Sequence, residues 1–479
     1  MGGWGTIYNN TKLALGQHSQ RIAALQEQVA SGARINRASD DPADAYRILN
    51  LRAQSDSLTQ YTRNLQEVTR TLELNYSLVS EISTNLRSVA QKLEQAASGT
   101  YNDSNRVILG KDIDSVLQQV LALANTKSLG RYAFSGAASD VRPYLTETEG
   151  GYITAVRYQG SRTDLPVPIA PGVEMSGVLI GADVFRSDNA GTPEFLGETG
   201  AAAGTGTSNV RGSFYLEITH KETTVTADPS GVNLQVGGSS AAGDTVLGVR
   251  DLIVDPSGKT VRFADGGPTF SFTGTETDLA VRDADGNVVH LDVSALNGAV
   301  VGPVTVTIQS DGYLSLGDGA PVTELTDFTE ANLAVTDADG RVLYVDATGI
   351  RATGLETVRV PGTADVFETL IFARDALLND RGLPRAEQLK LVQTSLESLE
   401  EVIAQITQSM TSVGGRLEAL DTLEGSLRTI RASADDQAGA LENADLVQLA
   451  ADLARMQTLY EMTLATASRL LSTTLLDYL

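Results

Sequence analysis

The sequence predicts an α + β protein: an elongated helical bundle or coiled coil, built from both chain ends, with a β-rich inserted head region. Three observations predict this class. Residues 1–137 and 365–479 are rich in Leu, Ala, Gln and Ser. Both parts space their apolar residues in alternating steps of three and four, which is typical of coiled-coil helices. The residues between them are dominated by Gly, Thr, Val, Asp and Pro.

The first long helix is predicted from an apolar seam in the N-terminal part. The run from Ser98 to Asp103 combines residues that end helices and form turns, so a second helix should follow it. A weaker seam lies within the first forty residues, and a segment of that composition is marginal as an isolated helix. The strong seam consists of Leu58, Tyr61, Leu65, Val68, Leu72, Val79, Ile82, Leu86, Val89, Leu93 and Ala96.

The C-terminal part mirrors this pattern, with one apolar seam from Leu389 to Leu427 and another that starts at Leu446. Because an apolar seam must be covered by another helix, we expect both chain ends to close one antiparallel bundle. The outermost seams have no obvious cover inside the chain, so we expect them to pair with each other and with neighbouring subunits. The predicted assembly residues are Leu15, Ile22, Leu25, Val29, Leu453, Met456, Tyr460, Leu470, Leu475 and Leu476.

The middle of the chain contains an internal repeat. The stretch Leu279–Asp292 returns 54 residues later as Leu333–Asp346. Each copy consists of two alternating runs around an Asp-Gly turn, which predicts a β-hairpin. Two copies indicate a duplicated β unit, since a solenoid needs about three or more repeats. Residues 187–363 hold nine Lys or Arg against 24 Asp or Glu, so most of the net charge of −24 lies in this region.

Composition excludes several functions. A net charge of −24 argues against nucleic acid and against anionic membrane surfaces as partners. The absence of Cys excludes disulfides, thiolate zinc sites and a Cys nucleophile. The three histidines, His18, His220 and His290, are scattered along the sequence and leave little for a catalytic triad. The sequence shows no secretory signal and no membrane span, so we expect no membrane insertion and, if the protein is exported, no cleaved signal peptide.

Few residues are candidates for chemistry. The two Asp-x-Asp-Gly turns resemble part of a calcium loop, but Val281 and Val335 occupy the first ligand position, which favours plain hairpin turns. The adjacent Asp40 and Asp41 are better explained as helix caps than as a catalytic pair. His18 is expected on a polar helix face. We therefore predict no enzyme activity and no cofactor, and the only candidate metal ligands are Asp283, Asp285, Asp337 and Asp339.

One motif lies between the first two helices. Gly32 is suited to end one helix, and Ser39, Asp40 or Asp41 can cap the next, which has Pro42 in its first turn. The segment is similar to the N-terminal signature of the flagellin superfamily, and it precedes a heptad helix as that signature does. The residues that carry the resemblance are Ser31, Gly32, Arg34, Ile35, Asn36, Asp40, Asp41 and Pro42.

Further stretches resemble one branch of this superfamily, the hook–filament junction proteins (hook-associated protein 3). The segment Asn125–Gly136 is similar to a junction-protein motif through Gly130, Arg131, Tyr132, Phe134 and Gly136. Two Val-Phe segments, Gly181–Phe185 and Val366–Leu370, and the end Ser472–Leu479 also resemble that branch. The chain departs from it at Gly2–Gly5, where Met-Arg-Ile or Met-Arg-Val is usual, and at Ala38, where Pro is common.

The resemblance implies a self-assembling structural adaptor at the hook–filament junction of an extracellular bacterial flagellum. It implies as partners hook-associated protein 1, flagellin, copies of itself in a ring, an export chaperone and the type III export apparatus. Filament flagellin, or an adhesive role of the insert, are the alternatives. The predicted division is an N-terminal assembly segment 1–43, a helical rod 44–138 and 364–439, a β-rich region 139–186, an acidic inserted domain 187–363, and a C-terminal assembly segment 440–479.

Overall fold

The computed structural model describes residues 3–98, 101–128, 130–317 and 320–476, and it describes no side chains for 3–5 and 470–476. Within these ranges the helices are α1 (Gly3–Ser31), α2 (Pro42–Ala97), α3 (Asp103–Ala124), α4 (Gly181–Phe185), α5 (Ser240–Gly243), α6 (Val366–Leu378), α7 (Arg385–Glu442) and α8 (Leu446–Leu476). Long helices therefore come from both chain ends and flank a β-rich middle. The predicted α + β class is confirmed.

The strands occupy the middle of the chain. The first ten are β1 (Lys127–Ser128), β2 (Arg131–Tyr132), β3 (Tyr144–Glu149), β4 (Tyr152–Tyr158), β5 (Pro166–Ala170), β6 (Val173–Ser176), β7 (Glu194–Phe195), β8 (Ala202–Ala203), β9 (Gly212–Ala227) and β10 (Gln235–Val236). The remainder are β11 (Gly248–Asp255), β12 (Thr260–Phe263), β13 (Phe270–Ser271), β14 (Leu279–Arg282), β15 (Val288–Asp292), β16 (Val304–Ser315), β17 (Thr323–Leu325), β18 (Leu333–Thr336), β19 (Val342–Asp346) and β20 (Gly354–Val360).

The chain forms two compact units. The first contains residues 1–70, 166–177 and 415–479, and its helices are the chain ends together with parts of α2 and α7. Polar contacts join these parts of α2 and α7, because Gln66 Nε2 donates to Glu424 Oε1 at 2.8 Å. The hairpin β5–β6 also belongs to this unit. Its buried apolar residues are Ala45, Ile48, Leu58, Leu65, Val68, Ile169, Ala170, Leu420, Leu427, Ala434, Ala438 and Leu449.

The second unit contains residues 71–165 and 178–414. Its helical part packs α3 against α6. Arg374 of α6 is 2 % exposed, donates to Asp114 of α3 at 3.1 Å and also donates to the carbonyl of Ile153. A buried charge needs such partners, because an unpaired one costs several kcal/mol. Apolar residues of α2 and α7 in this unit are fully buried at Leu72, Val79, Ile82, Leu86, Leu93, Val392, Leu399 and Ile406.

The β part of the second unit is one large antiparallel sheet with smaller sheets beside it. The large sheet has the order β13-β12-β11-β16-β9-β20-β7, and β17 also pairs with β16. The smaller sheets are β10-β15-β14 and β18-β19-β8. The strands at both ends of the large sheet have only two residues, which limits pairing with other chains. Two separate apolar clusters fill the region.

The duplicated sequence forms two hairpins of the same register. Val281 pairs with Val289 in the first hairpin, and Val335 pairs with Leu343 in the second. All four side chains are fully buried. Among the helices the structure describes, none is long and apolar enough to span a bilayer.

Candidate assembly interface

The first motif forms the connection between α1 and α2. Gly32 has φ +71°, a left-handed conformation that favours glycine, and its N–H donates to Gln28 O at the end of α1. The chain then pairs with the segment after α7, because Arg34 N donates to Glu442 O at 2.7 Å and Ala444 N donates to Gly32 O at 3.0 Å. The motif therefore joins two regions that are far apart in sequence.

The Arg34 side chain binds two helix ends at once. Its guanidinium donates to the carbonyl of Leu441 in the last turn of α7, through Nε at 3.3 Å and Nη2 at 3.1 Å. The same group forms ion pairs with Asp41 at 3.3 Å and Asp44 at 2.6 Å at the start of α2. A cation is favourable beside C-terminal carbonyls, and carboxylates are favourable in a first turn. The Asp44 carboxylate raises the pKa of Arg34, so this cation stays charged.

The acidic residues of the motif shape the loop and cap α2. Asp40 Oδ2 accepts the N–H groups of Asn36 and Arg37, which closes the loop. Asp41 precedes Pro42, the first residue of α2, and its Oδ1 accepts the N–H of Asp44 at 3.2 Å. This hydrogen bond, together with Arg34, lowers the pKa of Asp41. Asp41 is thus the cap among the three residues that the sequence offered.

The other motif residues stabilise the loop between α1 and α2. Ser31 Oγ accepts the N–H of Ala33 at 3.2 Å, Asn36 Nδ2 donates to Ala33 O, and Ile35 is half-buried. A hydrogen-bonded loop of this kind fixes the direction in which the chain leaves α1.

The chain ends cover each other. Helices α1 and α8 pack together, and the bridge between Ala33 and Asn443 makes the pair antiparallel. Each helix partly covers the apolar stripe of the other, which is the pairing of the two chain ends that the sequence analysis expects. The half-buried or buried positions recur every three or four residues, at Leu15, His18, Ile22 and Leu25 of α1 and at Leu449, Leu453, Met456, Tyr460, Thr463 and Ala467 of α8.

Two predicted positions differ from the sequence analysis. His18 is half-buried in the stripe between Leu15 and Ile22, so the prediction of a polar face is wrong there. Val29 is 42 % exposed and lies off the stripe. The side chains of Leu470, Leu475 and Leu476 lie outside the described residues.

A second set of apolar side chains on these helices points to solvent; the sequence analysis missed it and placed one member, Leu446, in the seam. Val447 is 82 % exposed, Leu13 is 64 % exposed and Met462 is 56 % exposed. Exposed apolar side chains on two neighbouring helices are candidates for contact with another molecule. The set consists of Ile7, Tyr8, Leu13, Leu446, Val447, Leu459, Met462 and Leu464. We call it the outer apolar set.

The second motif and the two Val-Phe segments meet in one aromatic cluster. Phe134 and Phe185 are 4.9 Å apart, and Phe185 and Phe367 are 6.1 Å apart, all measured between ring centroids. Tyr144 contacts the same group at 4.7 Å from Phe367. Burial raises the pKa of the Tyr144 hydroxyl well above its ordinary value. Three of the segments that carry the junction-protein resemblance thus share one core.

The backbone conformation explains why two positions of the second motif are glycine. Gly136 has φ +59°, and a Cβ there would lie 2.5 Å from Ser161 O. Gly130 turns the hairpin β1–β2 at φ +85°. Its neighbour Arg131 is exposed, and Tyr132 is half-buried with the Lys127 ammonium 5.2 Å from its ring centroid.

The candidate metal ligands are used inside their own turns. Asp283 Oδ1 accepts the N–H groups of Asp285 and Asn287, and Asp283 also forms an ion pair with Arg250. The repeat behaves in the same way, as Asp337 Oδ1 accepts the N–H groups of Asp339 and Arg341. Within the described ranges no group of three or more His, Cys, Asp or Glu is arranged to hold a metal ion.

Two histidines that are distant in sequence converge in the insert. His290 Nδ1 lies 2.9 Å from Asp244 Oδ1, and His220 Nε2 lies 3.9 Å from Asp244 Oδ2. Thr223 Oγ1 donates to Asp244 Oδ2 at 2.7 Å and is 3.0 Å from Ser310 Oγ. The two histidines are therefore close in space although they are far apart in sequence. Asp244 and Ser310 are buried, so this group is part of a polar core.

Comparison with known proteins locates the resemblance. Residues 5–139 match the family model described as the bacterial flagellin N-terminal helical region. The predicted resemblance to the flagellin superfamily is confirmed over those residues. The chain is similar to flagellar hook-associated protein 3 of Escherichia coli K12, at 33 % identity over 128 residues, which are 26 % of this chain and 40 % of that protein.

The chain is also similar to other flagellar proteins. Flagellar hook-associated protein 3 of Salmonella typhimurium is 32 % identical over 129 residues, 27 % of this chain and 40 % of that protein. The chain therefore spans about two fifths of the length of these relatives. A flagellin of Escherichia coli O127:H6 is 23 % identical over 71 % of this chain and 56 % of that protein. The solved flagellar junction protein FlgL from Legionella pneumophila aligns with a TM-score of 0.40 at 17 % identity, covering 83 % of this chain and all of that one.

Proposed function

We propose that this protein is a structural adaptor of the bacterial flagellum that joins the hook to the flagellin filament. The observation that carries the proposal is the outer apolar set on α1 and α8. These helices already bury one stripe against each other, so the second set is left for other subunits. The similarity to hook-associated protein 3 supports the junction rather than the filament.

The proposal includes the partners that a protein at the junction of hook and filament would have. Hook-associated protein 1 would lie on one side and flagellin on the other, with further copies of this chain in a ring. The protein would act outside the cell and would reach its place through the type III export apparatus, with an export chaperone and without a cleaved signal. It would have no catalytic function. In this proposal the assembly segments are residues 1–43 and 440–479, and the rod consists of residues 44–138 and 364–439. The rod carries the β-rich region 139–186 and the inserted domain 187–363.

A substitution in the outer apolar set tests the proposal. Val447→Asp places a charge at a side chain that is 82 % exposed in the single chain. The monomer should keep its helix content and thermal midpoint, whereas a strain that depends on this variant should secrete flagellin without building filaments. A charge buried between subunits would cost several kcal/mol. The matched control is Gln457→Asp, at an exposed polar position of the same helix, which should leave filaments intact.

The inner stripe needs a separate variant. Leu453→Asp charges a half-buried residue between α1 and α8, so it should reduce the helix content of the monomer itself. If Val447→Asp also melts the terminal helices, the outer set belongs to the internal core. If Val447→Asp builds normal filaments, the outer set is not the interface.

Filament flagellin is the second candidate, since a flagellin aligns with a larger share of this chain than the hook-associated proteins do. Antibody labelling separates the two. A label confined to the hook end supports the adaptor, and a label along the filament supports flagellin.

A further inference from the structure

We infer that the insert consists of two copies of one seven-strand module, with the second copy nested inside a hairpin of the first. The outer module contains residues 199–219 and 313–360, and the inner module contains residues 232–310. The inference does not depend on the proposed function. The sequence repeat covers only one hairpin of each module, whereas the structure extends the equivalence to every strand.

The duplicated hairpins are bonded to equivalent neighbours. The short strand β10 pairs with β15, where Val236 faces Leu291. The short strand β8 pairs with β19, where Ala203 faces Val345. Backbone hydrogen bonds around them match as well, since Gly237 N donates to His290 O just as Gly204 N donates to Tyr344 O, both at 2.9 Å.

The bonds that follow each hairpin also coincide. Val293 N donates to Glu276 O, and its counterpart Ala347 N donates to Glu330 O. The next turn is capped by an aspartate in both modules, Asp292 for Ser294 and Asp346 for Thr348. Agreement of this kind at successive positions is not expected from two unrelated hairpins.

The large sheet contains the same four-strand order twice. In the inner module the order is β13-β12-β11-β16, and in the outer module it is β17-β16-β9-β20. The registers agree, since Val254 faces Val261 in the inner module and Ile218 faces Leu314 in the outer one. The strands β9 and β11 both begin at a glycine with positive φ, Gly212 at +68° and Gly248 at +87°.

The long strand β16 belongs to both modules. Its first half, up to Ser310, pairs with β11 as the last strand of the inner module. Its second half pairs with β9 and β17 as the third strand of the outer module. The register between β16 and β9 shifts between Asp311 and Gly312, which is the point where one module passes into the other. A β-bulge is a common device for such a change.

Each module has its own apolar core. The inner cluster contains Leu252, Val254, Val261, Phe272, Val281, Val289, Leu291 and Ile308. The outer cluster contains their counterparts Leu216, Ile218, Leu314, Leu325, Val335, Leu343, Val345 and Val358. Leu247 is the inner-module residue that lies in the outer cluster. Separate cores indicate that the two modules can fold separately.

The two modules differ in what lies on one face of their sheet. In the outer module Arg359 forms ion pairs with Glu397 and Glu401 of α7. The counterpart face of the inner module is partly exposed, with Val249 56 % exposed, and Thr307 Oγ1 donates to Asp251 across neighbouring strands. The inner module therefore needs no helix for support, which is consistent with an autonomous nested unit.

Excision of the inner module in the full chain tests the inference. The inner hairpin β11–β12 closes through Pro256–Lys259, and Asp255 caps this turn by accepting the N–H of Gly258. We replace residues 220–312 with the sequence Pro-Ser-Gly-Lys and add Thr219→Asp, so that the outer hairpin closes like the inner one. Hydrogen exchange should still protect strands β18–β20 at least about 100-fold over an unfolded peptide. The loss of Leu247 lowers this protection without abolishing it.

A register control and a full-length variant complete the test. Replacing residues 220–313 with the same four residues shifts the register by one and turns the core side chains outward, so protection should be lost. In the full chain, Val289→Asp should abolish protection in residues 279–310 and leave strands β18–β20 protected. The inference is overturned if β18–β20 lose protection in the excised chain and in Val289→Asp, or if the shifted chain is protected as well as the excised one.

Discussion

Arg34 provides the most direct test of how the chain ends are held, because its guanidinium contacts a carbonyl 407 residues away in sequence. Arg34→Ala removes two hydrogen bonds to Leu441 O and the ion pairs with Asp41 and Asp44. The side chain is 44 % exposed, so solvent screens each contact. At about 0.5 kcal/mol each, the four contacts contribute about 2 kcal/mol.

This loss should act locally. About 2 kcal/mol corresponds to roughly a 30-fold faster opening, since 1.4 kcal/mol is a factor of ten. Hydrogen exchange should therefore speed up by that factor at the amides of Ala444 and residue 34, with little change in the core of the second unit. Arg37→Ala is the control, because Arg37 is 69 % exposed and pairs only with Glu27 among the ion pairs of the described residues. Equal effects of the two substitutions, or cooperative unfolding of the whole chain, would refute the reasoning.

Three further predictions concern stability. Gly415→Ala should stabilise α7 by about 1 kcal/mol in urea unfolding, because this exposed helical glycine has nothing within 4 Å of a new Cβ, and an unchanged midpoint would contradict this. Phe134→Ala should destabilise by about 3–5 kcal/mol, whereas the exposed Tyr46→Ala should change the free energy of unfolding by less than about 0.5 kcal/mol. Burial, and then the neighbouring Glu368, raise the pKa of Asp365 to about 7, so the folded state binds the proton more tightly and loses stability as pH rises from about 4 to 7. Asp365→Asn should gain stability over the parent through that window in thermal melts at successive pH values, and a constant difference would refute it.

The sequence predicted the parts of the fold that rest on local periodicity. The heptad steps from Leu58 to Ala96 and the Asp-Gly turns after Val281 and Val335 each specify one element without reference to the rest of the chain. The stop after Ser98 was predictable for the same reason. These features need only a short window of sequence, and the structure has the long helices and the hairpins there.

What the sequence could not provide depends on contacts between distant residues. His220 and His290 meet at Asp244 only because β9, β15 and α5 are brought together by pairing. The sequence did not reveal the nested copy, because the two modules share strand order and burial but not residue identity. Ile218 of the outer module, for example, corresponds to Val254 of the inner module. The signal that could have revealed the nested copy is the matching spacing of alternating apolar residues in the strands around the two repeats.

The sequence did not say which partner covers the apolar stripes of the terminal helices. Leu453 and Leu459 have the same residue type on the same helix, yet Leu453 is half-buried in the inner stripe and Leu459 is 38 % exposed. Heptad spacing separates the two, because Leu453 continues the seam of Leu449 and Met456 and Leu459 lies off it. Heptad spacing gives a stripe, but it does not say whether the stripe faces the same chain or another.

The terminal pair links folding to assembly. A pair of helices has one shared seam, and α1 and α8 leave most of their seam residues only half-buried in the described part of the chain. Such a pair is stabilised by little apolar burial, and helices of this kind gain most of their stability from packing. Subunits that cover Val447 and Met462 would add apolar burial to the folded helices and none to unfolded ones, so assembly would stabilise the terminal pair by mass action. The residues that complete the fold of the chain ends would then be the residues that join one subunit to the next.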